Sequence, residues 1–323
     1  MRWLLPIFFF MCACGARTDL GGANPGDGPC AQSPWILFDY DDGVGAHGIA
    51  AIRADGTDFH VAIPDGFLPS MSPDGASLLY LTGDEKNQQL VLLDLASQST
   101  HTVVTTKVVP PSSGLGKAAV SYDNHFIAFG NSPDLHVVNF DGSNDHVVVT
   151  GPYDAGCCPW SYGHPQFSLD SSLIYFSTIG RLESIHTDGS GLELLYQDQF
   201  LTNPSIPGFV FPNVSLSPNG EKLVAQVACD VSALRIYDVT TLPTSDPCVI
   251  GTELVETGLS LASNESSNAA WGPTDMIVWD DAKDLLIMPS EGGQKSNLTS
   301  LYTTNVSAAA SDPTWAPGCA NIP

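Results

Sequence analysis

One recurring phrase dominates what this chain can fold into: a small polar residue, Pro or a substitute, Asp or Asn, Gly or a polar residue, then an apolar run. The fullest copies are Ser72-Pro73-Asp74-Gly75 before Leu78-Leu79-Tyr80-Leu81 and Ser217-Pro218-Asn219-Gly220 before Leu223-Val224-Ala225. Worn copies are Ser121-Tyr122-Asp123-Asn124, Ser168-Leu169-Asp170-Ser171, Trp271-Gly272-Pro273 and Trp315-Ala316-Pro317-Gly318. The Pro column falls at 73, 122, 169, 218, 273 and 317, so the steps are 49, 47, 49, 55 and 44. Short strands repeating at that period are the sequence sign of a β-propeller.

Each unit has a second half. Apolar runs end in Asp55-Gly56-Thr57, Asp141-Gly142-Ser143 and Asp188-Gly189-Ser190. Asp-Gly between apolar runs signals a tight hairpin, because Gly reaches positive φ without a Cβ penalty. A unit therefore reads as inner strand, Pro-Asp-Gly turn, strand, loop, strand, Asp-Gly turn, outer strand, which is one four-stranded blade. The last phrase has no strand after it, and the first strand, Trp35-Ile36-Leu37-Phe38, has no phrase before it. Each supplies what the other lacks. The expected fold is all-β: a six-bladed β-propeller whose last blade is closed by pairing of the N- and C-terminal strands, leaving no open edge along the ring.

The paired phrases resemble the TolB-type propeller repeat, over roughly residues 34–323. Two of six copies keep Ser-Pro-Asp/Asn-Gly intact, while the others lack the Pro or the Asp. The Trp-Asp of WD repeats occurs once, at Trp279-Asp280, and does not recur. The resemblance implies a propeller that binds proteins or acts as a scaffold, and it implies no catalytic residues.

The N-terminus adds a location. Met1-Arg2 precedes an apolar stretch from Trp3 to Met11, too short to span a bilayer and of signal-peptide length. The small residues before a cysteine in Cys12-Ala13-Cys14-Gly15 look like a bacterial lipobox. The expected organisation is a signal peptide over 1–13, a lipidated flexible tether over 14–33 with Cys14 as the anchor, and the propeller over 34–323. By resemblance to envelope sorting, Gly15 after the cysteine favours the outer membrane, facing the periplasm or the surface. The simpler alternative is a cleaved signal and soluble secretion.

Charge excludes one class of partner. Eleven Lys and Arg stand against 35 Asp and Glu, a net charge of -24, and phosphate backbones repel such a chain. Expected partners are an envelope protein or a glycan, with no nucleic acid, membrane contact through the lipid alone, and a monomeric chain. Eight cysteines, two of them in the leader region, leave Cys30, Cys157, Cys158, Cys229, Cys248 and Cys319. An even set in an exported protein points to disulfides, although six cysteines allow 15 pairings. The blade model pairs Cys30 with Cys319 across the closure and Cys229 with Cys248 within one blade. Adjacent Cys157 and Cys158 are either a vicinal disulfide or free thiols or a metal contact.

No nucleophile elbow, His-Glu-x-x-His or P-loop occurs. We therefore expect no catalytic set and no cofactor. Ca²⁺ would favour an oxygen-rich loop such as Asp39, Asp41 and Asp42. A solvated acidic turn is the preferred reading there, and likewise at Asp280-Asp281. Inner strands line a propeller's channel, so the candidates for binding at its mouth are His164, Gln166, Asn213 and Asn268, a set with no carboxylate. For His164 the preferred reading is a hydrogen-bonded structural residue beside Pro165. Tyr153, Trp160 and Tyr162 form a candidate recognition loop, or a loop folded over the core. The function expected is an envelope-anchored, non-catalytic binding scaffold. The alternative is a channel-metal carbohydrate lyase or lactonase, which would need carboxylates, Asn or His converging from several inner strands.

Overall fold

The computed structural model describes residues 33–84, 86–108, 114–151, 163–178, 181–197, 214–228, 232–239, 252–256, 268–281, 283–303, 309–316 and 320–323. Its described residues form six antiparallel four-stranded sheets. Blade 1 is composite: β1 (Trp35–Asp41), β2 (His47–Arg53) and β3 (His60–Pro64) are joined by β24 (Ala309–Ala316) as innermost strand. Blade 2 holds β4 (Phe67–Met71), β5 (Ser77–Gly83), β6 (Asn87–Asp94) and β7 (Ser99–Lys107). Blade 3 holds β8 (Leu115–Val120), β9 (Phe126–Asn131), β10 (Asp134–Asn139) and β11 (His146–Thr150). Blade 4 holds β12 (Gly163–Phe167), β13 (Leu173–Thr178), β14 (Arg181–His186) and β15 (Glu193–Gln197). Blade 5 holds β16 (Val214–Leu216), β17 (Lys222–Ala228), β18 (Ser232–Asp238) and β19 (Thr252–Glu256). Blade 6 holds β20 (Ala269–Trp271), β21 (Met276–Asp281), β22 (Asp284–Pro289) and β23 (Ser296–Asn297). The six-bladed expectation and the terminal closure both hold: Trp35 pairs with Ala316, Ile36 with Trp315 and Asp41 with Ala309.

The core lies between blades. In β1, Trp35 and Leu37 point into the cluster shared with blade 2, while Ile36 and Phe38 point into the one shared with blade 6. A strand alternates its faces every residue, so burial on both faces demands a continuous apolar run. Each such side chain contributes about 1.5–3 kcal/mol by leaving water. At the closing interface Gly272 lies under the Trp315 indole, where a Cβ would come within 2.4 Å of the ring.

Turn chemistry explains why worn copies of the phrase still work. In the intact copy the Ser72 hydroxyl donates to Asp74 (2.6 Å), Asp74 accepts from the Ala76 N–H (2.9 Å), and Gly75 has φ 71°. Ser121 and Asp123, and Ser168 and Asp170, repeat that bond at 2.6 Å, and Ser217 donates to Asn219 at 2.7 Å. The left-handed position is taken by Asn124 (φ 55°), Ser171 (φ 60°) and, in blade 6, Asp275 (φ 56°). Asn and Asp tolerate that conformation better than most non-Gly residues, and the carboxylate or amide acceptor is kept in these four turns.

Candidate binding site in the central channel

Counting back five residues from the Pro column gives one position per blade: Leu68, Lys117, His164, Asn213, Asn268 and Asp312. Four inner strands carry a bulge at or beside this level. Two residues face one partner at Leu68-Pro69, Gly116-Lys117, His164-Pro165 and Asp312-Pro313. Bulges re-aim side chains. Leu68 and Asp312 also hold left-handed backbone, at φ 52° and 53°, which is costly for a bulky residue such as Leu68. The Leu68 N–H is held by the Asp39 carboxylate at 2.7 Å.

The bulged residues meet as a polar floor across the channel. Lys117, 7% exposed, reaches from blade 3 to the closing strand and donates to the carbonyls of Asp312 and Pro313, both at 3.2 Å. His164 reaches the same strand from blade 4, with Nε2 3.3 Å from Asp312 Oδ1 and both side chains 15% exposed. Asp280 of β21 accepts from the Asp312 N–H (3.0 Å), the Asn268 N–H (2.6 Å) and the Asn268 side-chain amide (2.9 Å). Blades 1, 3, 4 and 6 are thereby tied to one another, and three of these ties end on β24.

Burial sets the protonation of this floor. It pushes the Asp280 carboxyl up to about 7, with Asp312 adding repulsion. It holds Asp39 well above the usual carboxylate range, again with help from Asp312, and raises Asp312 against the pull of Lys117. Lys117 is lowered by burial although all three carboxylates oppose the shift, and His164 is held well below its usual value by burial and then by Lys117. His164 is therefore a neutral imidazole near pH 7.

Above the floor opens a funnel of about 300 Å³. Its base is Lys117 and His164, and its wall includes Ser70, Gln166, Ser215 and Thr314. Its rim includes Pro73, Tyr122, Pro218 and Pro273, and Leu169 occupies the same column in blade 4. Tyr122 and Leu169 stay 39% and 41% exposed.

Several sequence expectations need correcting. Asp39 does not share a solvated turn with Asp41 and Asp42. Asp42 caps the turn to Ala46 through three backbone N–H groups, whereas Asp39 belongs to the channel floor. Asp280 is likewise not a solvated turn residue, at 5% exposure. His164 is partnered as a structural residue beside Pro165 would be, with Nε2 3.3 Å from Asp312 Oδ1, and it also lines the funnel. The candidate set lacked carboxylates that the structure supplies in Asp39, Asp280 and Asp312. A proline inside a strand marks a bulge or an edge, so Pro69, Pro165 and Pro313 were the available signal. His164 and Gln166 line the funnel, whereas Asn268 is not part of its lining and bonds Asp280 instead. Asn213, Tyr153, Trp160, Tyr162, Cys14 and the proposed disulfide cysteines Cys30, Cys157, Cys158, Cys229, Cys248 and Cys319 lie outside the described residues.

Comparison with solved structures agrees with this geometry. A TolB from Acinetobacter baumannii superposes with a TM-score of 0.66 at 16% identity, covering 88% of this chain and 67% of that one. A TolB-type protein from Agrobacterium tumefaciens gives 0.54 at 14% identity, covering 82% and 88%. The fold is that of a TolB-like six-bladed propeller. A chain of the nidogen/laminin complex is also similar, with a TM-score of 0.58 at 12% identity over 87% of this chain and 98% of that one. No family model matches the sequence, and no curated protein matches it. The channel floor described above is thus carried on a TolB-like six-bladed frame.

Proposed function

We propose that this TolB-like propeller is an envelope-anchored, non-catalytic binding scaffold whose ligand or partner docks at the channel funnel. The observation that carries the reading is the funnel itself: an open, largely apolar rim over a wall of hydroxyl and amide groups, closed below by buried Lys117 and His164. Concave sites with an apolar lining and a few convergent polar groups are where proteins bind ligands. The lipobox-like leader supports anchoring through Cys14 in the outer membrane. The similarity to a chain from a two-protein complex is in keeping with a docking role.

One observation favours the enzyme alternative: Asp39, Asp280, Asp312, Asn268 and His164 do converge from several blades. The donor set does not suit a resident Ca²⁺ or other divalent cation. Although these side chains lie near one another, among the described residues no three His, Cys, Asp or Glu side chains are arranged to hold a metal ion, and the Lys117 ammonium faces the carboxylates.

A photo-crosslinking residue at position 122, at the funnel rim, tests the reading in the cells that make the protein, with one at position 102 on β7 as control. A discrete adduct from 122 and none from 102 is expected; adducts from 102 alone, or from neither, overturn it. Cys14→Ala should move the protein from the membrane to the soluble fraction, and an unchanged membrane fraction would refute the anchor.

A further inference from the structure

The antiparallel blade sends two sets of turns to one face. Connections from first to second strand and from third to fourth strand emerge on the same side, because strand direction alternates. The inner set surrounds the funnel rim and carries Asp74, Asp123, Asp170, Glu221 and Asp275. The outer set carries Asp55, Asp58, Asp141, Asp145, Asp188 and Glu291. The described residues of these connections hold 11 carboxylates, against Lys295 within them and, at their edges, Lys222 and Arg53, the latter paired with Asp58 at 3.4 Å.

Six of these carboxylates are held in the charged form. The turn carboxylates accept hydrogen bonds from their own turns, which holds Asp55, Asp74, Asp141, Asp170 and Asp188 below the usual range and brings Asp123 down to about 2. Inside the inner ring sits the apolar column of Pro73, Tyr122, Leu169, Pro218 and Pro273. In the inner set His125 lies 3.0 Å from Asp123, and Lys222 directly follows Glu221. A concave apolar mouth ringed by charge of one sign focuses its field on whatever enters.

We infer that this face docks a basic polypeptide segment, with one apolar side chain seated in the funnel and flanking Lys or Arg residues against the ring of carboxylates. The inference rests on the funnel-binding reading and adds the partner's chemistry. Complementary charge raises the association rate and rejects acidic competitors, while the apolar anchor supplies residence time.

The molecule contains its own control for the test. Asn219 occupies the Asp position in blade 5 and still accepts the Ser217 hydroxyl and the Glu221 N–H. Asp74→Asn, Asp123→Asn and Asp170→Asn together should therefore strip three charges while keeping the turns. The experiment selects a random phage-displayed peptide library on the full-length protein and on this triple variant. Enriched sequences should pair an apolar residue with flanking Lys or Arg. Their affinity should weaken steeply with salt and fall about tenfold in the triple variant, the sum of three modest exposed ion pairs. Enrichment of neutral or acidic sequences that Tyr122→Ala abolishes would overturn the basic-partner inference and leave the funnel reading standing. No enrichment, or enrichment indifferent to Tyr122→Ala, would overturn both. A circular dichroism spectrum unchanged from the parent and a cooperative melt well above the assay temperature exclude misfolding of either variant.

Discussion

The funnel rim and the channel floor are built by the same six strands, a few residues apart, and they follow opposite rules. At the rim four of the blades repeat one device, a Ser hydroxyl held by Asp or Asn two residues on. At the floor no device repeats: Leu68, Lys117, His164, Asn268 and Asp312 occupy equivalent positions with different chemistry. Repetition secures the frame, and the level where it breaks is where the blades of this propeller differ from one another. The two regions also respond oppositely to protons, because rim carboxylates face turn N–H groups and floor carboxylates face burial and one another.

The sharpest way to break this contrast is at Lys117. Lys117→Met leaves Asp39, Asp280 and Asp312 without their cation, and urea unfolding at pH 7.5, a value chosen above Asp280's titration, should show a loss of about 3–5 kcal/mol. The loss should shrink at acid pH, where the floor carboxylates hold protons. A loss of the same size at every pH would mean that Lys117 matters for packing alone.

Stability against pH comes next. Asp280 has a folded pKa raised to about 7 from 3.8, so its favourable contribution is complete below pH 3.8 and lost as pH rises through 7. Asp123, lowered to about 2, contributes stability above pH 3.8 that is lost as pH falls towards 2. Thermal unfolding should therefore peak on the acid side of neutrality. Asp280→Asn should flatten the alkaline limb, by up to ~4 kcal/mol, and leave the acid limb in place. An alkaline limb unmoved by that change would remove Asp280 from the account.

Two smaller tests probe the frame. Gly272→Ala drives a Cβ into the Trp315 ring at the closing interface and should cost about 1–3 kcal/mol, read from denaturant midpoints. Asn219→Asp swaps one rim acceptor for another and should stay within about 0.5 kcal/mol. A large effect there would show that the rim positions are not interchangeable.

This contrast also explains what could be seen in advance. The Ser-Pro-Asp-Gly and Asp-Gly-Ser/Thr turns announce themselves because each needs particular residues at fixed spacing, so blade count and closure follow from Asp74, Asn219 and the unmatched ends at Trp35 and Trp315. The floor does not announce itself. Asp39 and Asp280 look like ordinary turn acids in sequence, only the ring brings them to Lys117, and a single lysine in an apolar strand carries no signal of its own. His164 was noticed for its place before an inner strand, yet its reach depends on a bulge whose signal was Pro165 beside it.

The account places binding at the rim and floor of the channel. Amide hydrogen exchange across the full chain, with and without the most enriched library peptide, tests that most directly. Protection should concentrate at 70–73, 117–122, 166–169, 214–218, 269–273 and 313–316. Protection confined to the outer strands β7, β11 and β15 would contradict it.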